Sequence, residues 1–178
     1  MDFPMDVIIE TERLYLRLFE DSETDAALIF RLNSDPEVIR YTHDPFRDIS
    51  HAREILQQVI LPQYTLYRHG RWAVHLKTDL TFIGWCGLKY RPELDEVDLG
   101  YRFSRASWGQ GYATEAAAAS IRYGFGTLGL ARITGHAMPA NTDSCKVMEK
   151  CGMAYRGLDT VDGELVHTYD LLNPATRS

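Results

Sequence analysis

The sequence predicts an α/β fold built on a mixed sheet, with about seven strands and about four helices lying on both faces. Three observations carry this. Period-two runs alternate along the chain with period-3.6 runs, and short turn segments join two pairs of strand-like runs, which must then pair antiparallel. Two helical crossovers occur late in the chain, and only they can join parallel strands. The order reads β-α-α-β-β-β-α-β-α-β-β.

Arg13 to Phe19 alternates strictly, with Leu14, Leu16 and Leu18 on one face of a half-buried strand. A helix follows from about Ser22 to Asn33, ended by Asp35-Pro36. From Ser50, residues Ala52, Ile55, Leu56, Val59 and Ile60 form the apolar face of a second helix, which Pro62 must kink or end. Arg71 to Leu76 and Phe82 to Tyr90 read as a hairpin across Lys77 to Thr81. Glu96 to Phe103 alternates again: Val97, Leu99, Tyr101 and Phe103 share one face, and Glu96, Asp98, Gly100 and Arg102 the other. Ala113 to Phe125 is an Ala-rich helix with Ala113, Ala117, Ile121 and Phe125 in one line. Arg132 to Met138 is a strand and Thr142 to Cys151 a short helix closed by Gly152; Ala154 to Leu158 and Val166 to Leu172 form a hairpin around Asp162-Gly163.

The chain has 178 residues, 45% hydrophobic and 25% charged, with no linker or repeat to divide it, so residues 1–178 are read as one domain. No apolar run approaches the roughly 18 residues of a membrane span. Met1 to Glu10 carries acids and no base, unlike a secretion signal. Cys86, Cys145 and Cys151 cannot all pair and show no metal spacing, so the expectation is a reducing cytoplasm and no metal. A net charge of −6 without a Lys/Arg cluster excludes a nucleic-acid footprint.

The segment that carries chemistry is Ser107-Trp108-Gly109-Gln110-Gly111-Tyr112-Ala113-Thr114-Glu115, where a strand passes through a Gly-x-Gly turn into a helix. Glycines let the backbone turn with positive φ, and the helix's first N–H groups then face negative charge. Such turns are also common as plain junctions. A Walker loop would need Gly-Lys-Ser/Thr, and a dinucleotide fingerprint a glycine where Thr114 stands; neither is present.

Together with Thr11-Glu12-Arg13-Leu14-Tyr15-Leu16-Arg17, Ile83-Gly84, Asp98-Leu99-Gly100-Tyr101, Asn141-x-x-Ser144 and Glu149-Lys150-Cys151-Gly152, this segment makes nearly the whole chain resemble the GNAT acetyltransferases, within them the ribosomal-protein N-terminal acetyltransferase-like group. The resemblance implies the GNAT fold, with a mostly antiparallel twisted sheet, and acetyl-CoA as co-substrate. It implies that Trp108, Gly109, Gln110, Gly111, Tyr112, Ala113 and Thr114 form the pyrophosphate loop, and that Phe103, Ser104 and Arg105 pair their backbone with the pantetheine arm. Asn141, otherwise a helix N-cap, would hydrogen-bond the pantetheine, with Ser144 near the sulfur. Where many members have a proton-donating tyrosine this chain has Met148, which leaves Ser144 as the candidate hydroxyl.

An amine is mostly protonated at neutral pH and needs a base. Asp98 and Glu96 share a strand face and are the candidates, since neighbouring carboxylates raise one pKa; two acids on a solvated face is the plainer reading. His136 is a rival base. The expected activity is direct transfer of acetyl from acetyl-CoA to a primary amine, of a small molecule or a protein N-terminus, in a ternary complex. The alternative is a non-catalytic acyl-CoA-binding module with the same cleft. The resemblance also allows a homodimer, and the acceptor side is expected from Thr42 to Ile49 and Leu61 to His69.

Overall fold

Leu14 and Leu16 become the buried centre of β2 (Leu14–Arg17), which pairs antiparallel with β1 (Val7–Glu10), a short edge strand absent from the predicted order. The computed structural model describes residues 6–176, so the first five residues of the acidic start lie outside the described residues. Both faces of β2 are buried, because Tyr15 and Arg17 are buried along with the leucines. The expected half-buried strand is therefore sandwiched between helical layers.

β3 (Arg71–Leu76), β4 (Phe82–Arg91) and β5 (Glu96–Phe103) continue the antiparallel run, β6 (Arg132–Ala137) joins β5 in parallel, and β7 (Ala154–Val161) and β8 (Glu164–Leu172) complete an eight-stranded sheet in the order β1-β2-β3-β4-β5-β6-β8-β7. The last hairpin turns at Asp162 and Gly163, both at positive φ, as a tight two-residue turn requires. Because β8 inserts between β6 and β7, only the first of the two late crossovers joins neighbouring parallel strands.

One face carries α1 (Glu23–Leu32), capped by Ser22, then α2 (Ile49–Ile55), a π-helical turn over Leu56–Ile60 and α3 (Leu61–Tyr67). Pro62 does not end this stretch. It stands in the first turn of α3, just after the wide π turn, where its missing N–H is tolerated. Phe19, Ile29, Ala52, Leu56 and Ala73 form the core on this side.

The opposite face carries α4 (Tyr112–Gly126) and α5 (Thr142–Lys150), packed on Leu88, Leu99 and Ile133. The buried residues of α4 are Ala116, Ala117, Ala119, Ser120, Ile121 and Gly124, while Ala113 and Phe125 sit at the margins. An i+4 line drifts by about 40° per step around a helix of 3.6 residues per turn, so its two ends leave the contact.

Arg17 donates through Nε to His75 Nε2 at 3.1 Å, and His75 Nδ1 lies 2.8 Å from Leu80 O, which fits a neutral ring protonated at Nδ1. Burial holds both His75 and His69 below the ordinary histidine range, and their neighbouring arginines act in the same direction. Between the lowered native values and the unfolded value of about 6.5, the unfolded chain binds more protons, so stability is lost as pH falls through that window. Urea unfolding between about pH 7.5 and 5 should show this loss, and His75→Gln should reduce the slope; a flat wild-type profile would contradict it.

Candidate active site

β5 pairs with β6 only at Asp98 with Thr134 and Leu99 with Gly135, although β5 runs on to Phe103 and β6 to Ala137. On its other edge β5 stays paired with β4 through Phe103 and Gly84, and Ser104 N–H bonds Ile83 O at 2.8 Å. Strand alternation then turns the backbone groups of Tyr101 and Phe103 toward the opening beside β6. Phe103 O is occupied there by Trp108 Nε1, at 2.9 Å. The backbone facing the gap is thus that of Tyr101 and the Phe103 amide; Ser104 points to β4, and Arg105 is held at Asp35 by its guanidinium.

Across this opening the Tyr101 hydroxyl lies 2.8 Å from Ser144 O and 3.0 Å from Ser144 Oγ. Burial pushes its phenol above the ordinary tyrosine range, so it stays protonated at neutral pH. Asn141 Oδ1 accepts Ser144 N–H at 3.3 Å and caps α5, fixing the serine. Met148 is buried, and its sulfur lies so close to Gly135 that a side chain there would clash at 2.5 Å. Tyr101 is a hydroxyl in the opening that the sequence does not single out as a candidate. Its signal was a hydroxyl on an otherwise apolar strand face, which needs a partner when buried.

At the mouth of the gap Gly109 and Gly111 have φ of 76° and 81°, and Gly111 starts α4 without a side-chain cap. The first bond back is from Glu115 N–H to Gly111 O, so the amides of Tyr112, Ala113 and Thr114 have no partner within the helix. A Cβ at Gly109 would meet nothing within 4 Å. Arg13 braces the loop: its Nη1 donates to Gln110 O at 2.9 Å, its Nε to Glu115 at 3.2 Å, and its guanidinium lies 4.4 Å over the Tyr112 ring. Open positive-φ backbone, free amides and a nearby cation fit a diphosphate.

The two acids of β5 do not pair with each other. Asp98 is bound by Arg71 at 2.9 Å, and the same guanidinium donates to Asp98 O and lies so close over Gly100 that any Cβ there would collide with it. Glu96 Oε2 lies 3.3 Å from both His136 Nε2 and the Thr134 hydroxyl, with Arg132 3.7 Å from Oε1. Glu96, Asp98, Thr134 and His136 thus share one sheet face, but each carboxylate has a cationic partner of its own, Arg132 for Glu96 and Arg71 for Asp98. On this face a cleft of about 520 Å³ lies against Phe46, Ile55, Arg71, Trp85 and Lys89. His43 to Phe46 and Gln63 bring the expected acceptor segments into it.

Residues 13–154 match the family described as acetyltransferase (GNAT) domain. The chain belongs to the GNAT acetyltransferase family. It is 34% identical over 168 residues to the uncharacterized N-acetyltransferase p20 of Bacillus licheniformis, covering 89% of this chain and 91% of that protein. An acetyltransferase structure from Agrobacterium tumefaciens superposes with a TM-score of 0.80 at 26% identity over 96% of both chains. The spermidine N-acetyltransferase of Vibrio cholerae, solved with CoA and spermine, shares the fold at a TM-score of 0.75 and 20% identity, over 92% of this chain and 97% of that one. Membership in the GNAT family implies transfer of acetyl from acetyl-CoA to an amine.

Gly109→Asp places a negative charge in the open part of the loop at a φ that Asp tolerates at modest cost. We expect CoA affinity to fall by more than tenfold with a change in Tm of only a few degrees. Unchanged affinity by calorimetry would remove the loop from the site. Arg13→Gln should weaken CoA binding to a lesser degree, by releasing Gln110 and Glu115.

Proposed function

We propose that this protein transfers the acetyl group of acetyl-CoA directly to a primary amine, of a small molecule or a protein N-terminus, in a ternary complex. The observation that carries this reading is the opening between β5 and β6. Its edge is the unpaired backbone at Tyr101, the Tyr101–Ser144 hydroxyl pair crosses it, and a glycine loop stands at its mouth. The resemblance of nearly the whole chain to the ribosomal-protein N-terminal acetyltransferase-like group supports an N-terminal or similar amine. Three free cysteines and no helix among the described residues long and apolar enough to cross a membrane are consistent with a cytoplasmic enzyme.

Trp108 to Thr114 would hold the pyrophosphate, with Tyr101, Phe103 and the Asn141 amide along the pantetheine. Bound there, acetyl-CoA supplies a thioester carbonyl that is already activated. The Glu96–His136 pair, on the acceptor face next to the gap, takes the amine proton directly or through water. Asp98, committed to Arg71, positions that guanidinium under the cleft. On the opposite face of β5, Ser144, directly or through water, gives a proton toward the departing sulfur and takes one back from solvent, while the protonated Tyr101 O–H orients Ser144 by hydrogen bonding to its O and Oγ.

A thiol-release assay over a panel of amines and N-terminal peptides tests the activity; tight acetyl-CoA binding with no release for any acceptor would favour the non-catalytic module. Ser144→Ala and Tyr101→Phe should each lower kcat by about 10-fold to 10⁴-fold, with nearly intact acetyl-CoA binding. The double variant should be little worse than either, because the two hydroxyls act as a unit. Glu96→Gln should alter the acidic limb of the kcat/KM profile. Wild-type rates in all of these variants would refute the assignment.

A further inference from the structure

The charges around the cleft do not balance locally. Asp44 is bound by Arg102 at 3.1 Å, Asp98 by Arg71 at 2.9 Å and Glu93 by Arg91 at 2.9 Å. His51 Nδ1 accepts the Arg47 N–H at 3.2 Å. Lys89 lines the same cleft, half-buried, and makes no hydrogen bond or ion pair among the described residues. Burial, with Arg71 and Arg91 close by, pulls its ammonium below the ordinary lysine range, while the nearest carboxylates, Asp98 and Glu93, are already engaged. A partly desolvated cation without a counterion is unfavourable until an anion meets it.

The register sets the distance of this charge from the transfer point. Lys89 stands opposite Asp98, two residues before Gly100, where β6 has left β5. With a strand rise of about 3.3 Å and a strand spacing of about 4.8 Å, its Cα is roughly 8 Å from Gly100 and roughly 12 Å from the opening on the far edge of β5, and the lysine's own stem covers part of that distance. Two extended residues span about 7 Å. The Arg71–Asp98 pair lies between the two positions, and Phe46, Ile55 and Trp85, the last opposite Arg102 just beyond Gly100, present apolar and aromatic surface in the same cleft.

We propose that the acceptor is a carboxylate-bearing amine of about dipeptide length with an apolar or aromatic side chain, whose carboxylate pairs with Lys89. This rests on the reading of the cleft as the acceptor side of an acetyltransferase. It makes Lys89 a specificity-determining residue, with Trp85 and Phe46 as the walls that hold the side chain.

The test compares glycyl-phenylalanine with glycyl-phenylalaninamide, which share an amine and differ in the carboxylate. Wild-type kcat/KM should favour the free carboxylate by about tenfold or more, the usual weight of one charged hydrogen bond. Lys89→Met should bring the ratio close to one, and Lys89→Arg should retain most of it. A wild-type ratio near one, or a full preference kept in Lys89→Met, would overturn the proposal. Glycyl-phosphotyrosinamide as a third acceptor, preferred over both, would also overturn it in favour of a phosphate. Calorimetry with N-acetylglycyl-phenylalanine and its amide keeps the proposal testable without turnover: tighter binding of the carboxylate by about tenfold, lost in Lys89→Met, supports it, and equal binding overturns it. No transfer to any amine would instead count against the transferase reading.

Discussion

Parallel pairing between β5 and β6 stops after Leu99 and Gly135, and every feature of the site depends on that stop. A sheet interior normally satisfies each backbone N–H and C=O with its neighbour. Here four further residues of β5 remain beside β4 while no strand covers their other edge, where Trp108 Nε1 takes Phe103 O. An extended ligand can complete such an edge by main-chain hydrogen bonds, as an added strand does. The Tyr101 hydroxyl on Ser144 ties β5 to the start of α5 across the opening, so the two sides keep a fixed relation without closing.

The two faces of β5 divide the chemistry. Tyr101 and Ser144 lie on the α4 and α5 face, with the glycine loop at the start of α4, which suits cofactor binding and protonation of a leaving thiolate. Asp98, Gly100 and Arg102 lie on the α1 and α2 face, with Arg71 pressed against Gly100 and Arg102 set 4.9 Å over Trp85. The proposed base at Glu96 and His136 and the proposed acid at Ser144 are thereby kept on opposite sides of one strand. The proton taken from the amine and the proton given to the sulfur then need not exchange through a shared side chain.

Much of this was legible in the residues because local pattern and tertiary role agree. The alternation at Glu96 to Phe103, the Gly-x-Gly turn and the Asn141 cap all appear as read. The rest depended on partners distant in sequence. β1 is a four-residue edge strand whose pairing with β2 no periodicity announces. The π turn carries the second helix past Pro62. Asp98 and Glu96 looked like a carboxylate pair because their spacing puts them on one face, whereas Arg71, 27 residues away, and His136, 40 residues away, separate their roles. Arg13, Arg71 and Lys89 are unremarkable as sequence and acquire meaning only from what the folded sheet sets beside them.

Amide hydrogen exchange on the apo protein and on the protein saturated with acetyl-CoA addresses the open edge most directly. The account predicts that acetyl-CoA slows exchange at Tyr101 and Phe103 of β5 and at Gly109 to Thr114, with little change at Gly84 to Leu88 of β4, which are already paired. Protection confined to other parts of the sheet, with Tyr101 and Phe103 exchanging as fast as in the free protein, would contradict the claim that the divergence of β5 and β6 is where the cofactor binds.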